Sequence, residues 1–160
     1  MSDQTNLVIR AATAADAPFL FPLMRALAEQ EPNPNPGAFR ESLVGKAFHF
    51  LLDHPERGRV WVLAVDQSLV GYIVLTLGFS FEFFGTDAFI DELYIVPEYR
   101  RRGFGRRAVE FLEAEANKIG VNAVHLEVDI GNAAASELYR RMGFADHNRF
   151  LMTKWLQLPQ

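Results

Sequence analysis

The sequence predicts one α/β domain, a mixed sheet with about four helices against it, and three observations carry that expectation. The chain has 160 residues, the length of one ordinary domain, so 1–160 is expected to fold as a single unit. Short apolar runs rich in β-branched residues alternate with segments whose apolar residues recur every three or four positions, the periods of strand and helix. Their order is β, α, α, then β, β, β, then α, β, α, β, which implies a mixed sheet with helices packed on it.

Residues 7–10 read as a first strand. Thr13 then has the character of an N-cap, with Asp16 three positions on as the partner of an approximate capping box. Phe19, Leu20, Leu23, Met24 and Leu27 follow at helical spacing. Pro32, Pro34, Pro36 and Gly37 stop that helix, because proline lacks the donor and fixes φ. Phe39, Leu43, Ala47, Phe50 and Leu51 mark a second helix ending near Asp53 to Pro55. Residues 60–65 and 69–77 are β-rich runs joined by Asp66, Gln67 and Ser68, the spacing of a hairpin. The aromatic stretch 78–84 continues the sheet or forms its loop, and Gly85, Thr86 and Asp87 signal a turn. Residues 88–96 are then a strand, 103–119 a helix, 121–128 a strand, 131–142 a helix and 150–156 a final strand. No internal repeat or low-complexity linker interrupts this order.

Composition narrows the chemistry. There is no cysteine, which removes disulfides, thiol nucleophiles and thiolate zinc sites together and fits a reducing compartment. No stretch is apolar for long enough to span a bilayer, and the start lacks both the basic segment and the apolar run of a secretion signal. The expectation is a cytoplasmic protein with no membrane partner. A net charge of −4 also argues against a nucleic-acid partner, which needs a basic field to displace counterions from phosphates. The four histidines show no spacing that gathers three ligands, so no metal is expected. No Gly-x-Ser-x-Gly elbow is present either.

One basic cluster stands out. Arg100, Arg101, Arg102, Arg106 and Arg107 fall within eight residues and surround Gly103, Phe104 and Gly105 at the opening of a predicted helix. A helix start offers free N–H groups and the positive end of the dipole, so it is a ready pyrophosphate site. Glycine lets the backbone approach where a Cβ would stand in the way, and arginine adds forked, permanently charged donors. A dinucleotide fingerprint can be traced through Gly103, Gly105 and Ala108 with Asp129 downstream. It fits poorly, because six residues separate the strand from the first glycine and too little chain follows Asp129.

The segment from Asp91 through Pro97 and Arg100 to Gly103 and Gly105 resembles motif A of the GNAT superfamily of N-acetyltransferases, in its pattern of Arg or Gln, two residues, Gly, one residue, then Gly or Ala. Arg101 stands where that motif often carries glycine. Asn132 to Phe144, with Tyr139 and Gly143 between them, is similar to motif B. The resemblance is residue by residue from Asp91 to Phe144 and in element order over nearly the whole chain. Within the superfamily, the run from Ile9 to Asp16 and the acidic pair Asp91 and Glu92 resemble the diamine N-acetyltransferases.

The resemblance implies a mostly antiparallel sheet of six to seven strands, splayed at the strand ending near Pro97. It implies acetyl-coenzyme A as cosubstrate, without a metal. The donor would bind along Leu93, Tyr94, Ile95 and Val96, on Arg101, Arg102, Gly103, Phe104, Gly105 and Arg106, and beside Asn132 and Ser136. Transfer to an amine needs a base, since an alkyl ammonium has a pKa of about 10.4, and Asp91 and Glu92 are the candidates. Successive strand residues face opposite sides, so only one of the two points at the acceptor unless a bulge re-aims the other. Tyr139 is the candidate general acid, on one helical stripe with Asn132 and Ser136. Glu31 and Asp91 would draw a small primary amine or polyamine, the favoured acceptor, and a homodimer is a possible assembly. The alternatives are a peptide or protein N-acetyltransferase and a coenzyme A-binding module without turnover.

Overall fold

Period-2 alternation of apolar side chains builds the central sheet. The structure is a computed structural model that describes residues 6–30 and 39–157. Two compact units make up the chain, Met1–Glu127 and Val128–Gln160. In the first unit strands β1 (Val8–Ala11), β2 (Gly58–Val65), β3 (Ser68–Ser80), β4 (Gly85–Ile95) and β5 (Ala123–Leu126) lie side by side in sequence order. The first three ladders are antiparallel and β4 with β5 is parallel. Helices α1 (Ala17–Gln30), α2 (Glu41–Asp53) and α3 (Phe104–Lys118) belong to the same unit.

Each face of the sheet has its own core. Val60 and Val62 of β2, Tyr72 and Val74 of β3 and Tyr94 of β4 pack with Leu20, Met24 and Leu27 of α1 and Phe48 of α2. The intervening residues Trp61, Leu63, Ile73 and Leu75 are also buried and must face the other way. There Trp61 meets Phe111 of α3 edge-on, with ring centroids 5.7 Å apart. The buried stripe of α3, Phe104, Ala108, Leu112 and Ala116, has the 3–4 spacing of an inward helical face.

Local chemistry sets the element ends. Asp66 and Gln67 close the β2–β3 hairpin with φ of 48° and 68°, the doubly left-handed turn whose twist suits a two-residue loop. Before α1, Asp16 accepts the Thr13 N–H at 2.8 Å, which is the acidic half of the expected capping box. The proline stop at 32–37 lies outside the described residues.

Among the described residues the sheet has five strands, not six to seven. Residues 150–156, expected as the last strand, are irregular and join no ladder among the described residues. Phe150, Leu151, Met152 and Leu156 are exposed there. β-propensity alone does not make a strand, because the backbone groups of an extended segment need a ladder partner. The second unit has as its regular element α4 (Ala133–Arg141), none of whose residues is fully buried.

Candidate functional site

The ladder between β4 and β5 is short. It begins at Asp87↔Ala123 and ends at Ile90↔Leu126, so among the described residues β4 continues from Asp91 to Ile95 with β3 alone as its ladder partner. This is the splay expected before Pro97. It leaves Leu93, Tyr94 and Ile95 on a strand edge that an extended ligand chain can pair with.

A bulge interrupts the β3–β4 register at the same point. Val74 pairs with Glu92 and Leu75 with Ile90, so Asp91 is the extra residue. The insertion shifts the side-chain parity. Glu92 keeps the α1/α2 face with its partner Val74, while Ile90 is buried on the α3 face. The bulge therefore decides which of the two acids shares the α1/α2 face, which alternation alone withheld. Tyr72 donates its hydroxyl hydrogen to Glu92 Oε2 at 2.7 Å. Asp91 keeps a solvent-facing surface, yet the crowding of protein around it disfavours the charged form and pushes its carboxyl above the usual range.

After β4, Pro97–Tyr99 forms one 3-10 turn and the chain enters α3 through Arg100 to Gly103. Gly103 caps the helix with φ 79°, and a Cβ built there would meet nothing within 4 Å. The first intrahelical bond runs from Arg107 N to Gly103 O at 3.1 Å. The N–H groups of Phe104, Gly105 and Arg106 precede it, and no side chain caps them. This open, amide-lined turn fits a pyrophosphate. Arg101 and Arg102 are exposed beside it, Arg102 over the Tyr99 ring at 5.0 Å. Arg106 is exposed too and is paired with Glu110 at 2.7 Å.

Two of the clustered arginines serve the scaffold instead. Arg100 donates Nε to Ile95 O at 2.8 Å and a terminal nitrogen to Gln30 Oε1 at 3.1 Å, and it lies over the Tyr94 ring at 5.4 Å. It thus ties the loop to the end of β4 and to α1. Arg107 donates to Leu7 O at 3.2 Å.

In the second unit, Asn132 is the N-cap of α4, its Oδ1 accepting the Ala135 N–H at 3.1 Å. Its side chain organises the helix start. Ser136 and Tyr139 follow on the same helix, both partly covered, and the Tyr139 ring meets Phe144 edge-on at 5.7 Å. Glu31 lies outside the described residues. No group of three or more His, Asp or Glu side chains suited to a metal occurs among the described residues.

Two features escaped sequence reading. Tyr72 is brought to Glu92 only by the cross-strand register. Asp87 Oδ2 lies 3.4 Å from His125 Nε2, and the His125 ring packs against Phe83 at 4.6 Å between centroids. The sole advance signal for either was a polar residue on an otherwise apolar strand.

The sequence pattern described as the Acetyltransferase (GNAT) family matches residues 22–144. A ribosomal protein bS18 alanine N-acetyltransferase of Escherichia coli is 41% identical over 58 residues, 36% of this chain and 39% of that protein. The chain thus matches about two fifths of that relative's length. An integron cassette protein from a salt-marsh metagenome is 32% identical with a TM-score of 0.80, covering 94% of this chain and 91% of that one. An aminoglycoside N-acetyltransferase solved with coenzyme A shares the fold at 11% identity, with a TM-score of 0.79 over 98% of this chain and 99% of that one.

Proposed function

The chain belongs to the acetyltransferase (GNAT) family, and from that premise we propose that it moves an acetyl group from acetyl-coenzyme A to a primary amine, with Glu92 as the base. The observation that carries this reading is the Glu92 carboxylate, held at 2.7 Å by Tyr72 beside the bulge where β5 leaves β4. The cosubstrate supplies an activated acetyl thioester. The amides of Phe104, Gly105 and Arg106, with Arg101 and Arg102, would hold its diphosphate, and the β4 edge from Leu93 to Val96 its pantetheine arm. Amide hydrogens on that edge would also hold the developing oxyanion. The resemblance of 132–144 to motif B is what brings Asn132 and Ser136 into this reading.

In the proposed reaction Glu92 accepts a proton from the ammonium form of the acceptor, directly or through one water. The neutral nitrogen then bonds to the acetyl carbon, the carbon–sulfur bond breaks, and the departing thiolate takes a proton from a general acid, a role to which the motif B resemblance points Tyr139. Asp91, with its raised pKa, supplies a second acidic group for the same cation. Ammonium binding beside two carboxylates favours a small amine or polyamine.

A peptide N-terminus is the second reading. The relative that acetylates a ribosomal-protein alanine favours it, as do Phe81 and Phe84, each 90% exposed at the β3–β4 turn. Thiol release with spermidine, a monoamine and a short peptide at rising ionic strength tests the choice. Spermidine is expected to be the best acceptor and to lose kcat/KM as salt screens the carboxylates. A preference for the peptide with no salt effect transfers the assignment to the second reading.

A further inference from the structure

We propose that Tyr72 is a positioning residue for acetyl transfer, its hydroxyl placed so as to keep the Glu92 carboxylate in its ionised form. The inference rests on the reading of Glu92 as the base.

The two residues sit on adjacent antiparallel strands. Tyr72 pairs with Tyr94 and Val74 with Glu92, so Tyr72 and Glu92 are diagonal neighbours on the α1/α2 face, within reach of a long side chain. Tyr72 is 0% exposed, within the cluster formed by Leu20, Met24, Val62 and Tyr94. Its ring therefore has no freedom to swing, and its hydroxyl presents a donor at a fixed point. A carboxylate only accepts, so the proton on the 2.7 Å bond belongs to the phenol. Such a charge-assisted bond is short and about twice as strong as a neutral one. It favours the charged form of Glu92.

Charged groups on the neighbouring elements also bear on this face. Asp91 is the neighbouring bulge residue, and its charge opposes ionisation of Glu92. Arg100 is engaged with Ile95, Gln30 and the Tyr94 ring. On the helices, Arg25 of α1 is paired with Glu41 of α2 at 3.3 Å, and Glu29, Lys46 and His49 are exposed.

The test is the pH profile of kcat/KM for the full chain with acetyl-coenzyme A and the best acceptor of the panel. In Tyr72→Phe, Glu92 loses the Tyr72 hydroxyl, and the acidic limb is expected to move up by about one pH unit. Activity on the alkaline plateau and the KM for acetyl-coenzyme A are expected to stay within about threefold of the parent. A fluorotyrosine at position 72, a more acidic donor of nearly the same shape, is expected to move the limb the opposite way. Glu92→Gln is the control for the base itself. If it removes the limb while both changes at 72 leave it in place, Tyr72 is only a core residue and the base reading stands. A uniform loss at every pH in Tyr72→Phe, with no shift, overturns the proposal in the same way. If Glu92→Gln keeps both rate and limb, the base reading and the proposal fall together.

Discussion

Asp16 shows how much one buried carboxylate can organise. Arg10 grips both its oxygens, at 2.8 and 2.7 Å, and Thr13 adds a backbone and a hydroxyl donor. The Arg10 bonds, outweighing burial, lower the Asp16 pKa from 3.8 to about 2. A depressed acid stabilises the fold fully above its unfolded pKa and ceases to do so as pH falls through the folded one. Stability owed to this pair is therefore lost between about pH 4 and pH 2. Asp16→Asn is expected to lower unfolding free energy at pH 7 by roughly 1–2 kcal/mol, discounted because Arg10 is half exposed. The difference from the parent should vanish near pH 2, as followed by urea denaturation. At Tyr139, a Phe substitution removes the proposed proton donor but keeps the ring against Phe144. We expect kcat to fall by about 10²-fold or more, with acetyl-coenzyme A affinity unchanged by calorimetry. A variant within about twofold of the parent would reduce Tyr139 to a packing residue.

Among the elements, the turn into α3 carries the strongest link between backbone and function. Gly103 holds φ 79°, a left-handed conformation that costs an L side chain roughly 1–2 kcal/mol. Gly103→Ala is therefore expected to lower thermal stability modestly. It is also expected to weaken acetyl-coenzyme A by about tenfold or more, because the added methyl stands at the mouth of the amide-lined turn. Binding by calorimetry on the folded variant separates the two effects, and unchanged affinity would move the phosphate site elsewhere. β4 makes the complementary point. One inserted residue decides which acid joins Tyr72 on the α1/α2 face and where β5 departs. The α4 cap is a humbler case, in which Asn132 organises a helix start before it does anything for a ligand.

On the scale of the whole molecule, stability sits in the two faces of the sheet and not in the exposed aromatic residues of the β3–β4 turn. Leu63 is completely buried, whereas Phe81 at the β3–β4 turn is 90% exposed. Leu63→Ala is expected to cost about 2–5 kcal/mol, and Phe81→Ser to stay within about 0.5 kcal/mol. Chemical denaturation of both variants checks that contrast. The four helices, the order of the first five strands, the β2–β3 turn and the arginine–glycine loop were legible in the sequence, because each follows from local period, turn chemistry or backbone permissiveness. Residues 150–156 were misread for the converse reason. A β-prone run is only a strand when a partner completes its ladder, and partners are not written in the run itself. The bulge at Asp91, the bond from Tyr72 to Glu92 twenty residues away and the scaffold duty of Arg100 were decided by tertiary structure alone. Each depends on cross-strand register or on contacts distant in sequence, and a single residue of slip would send those side chains to the other face.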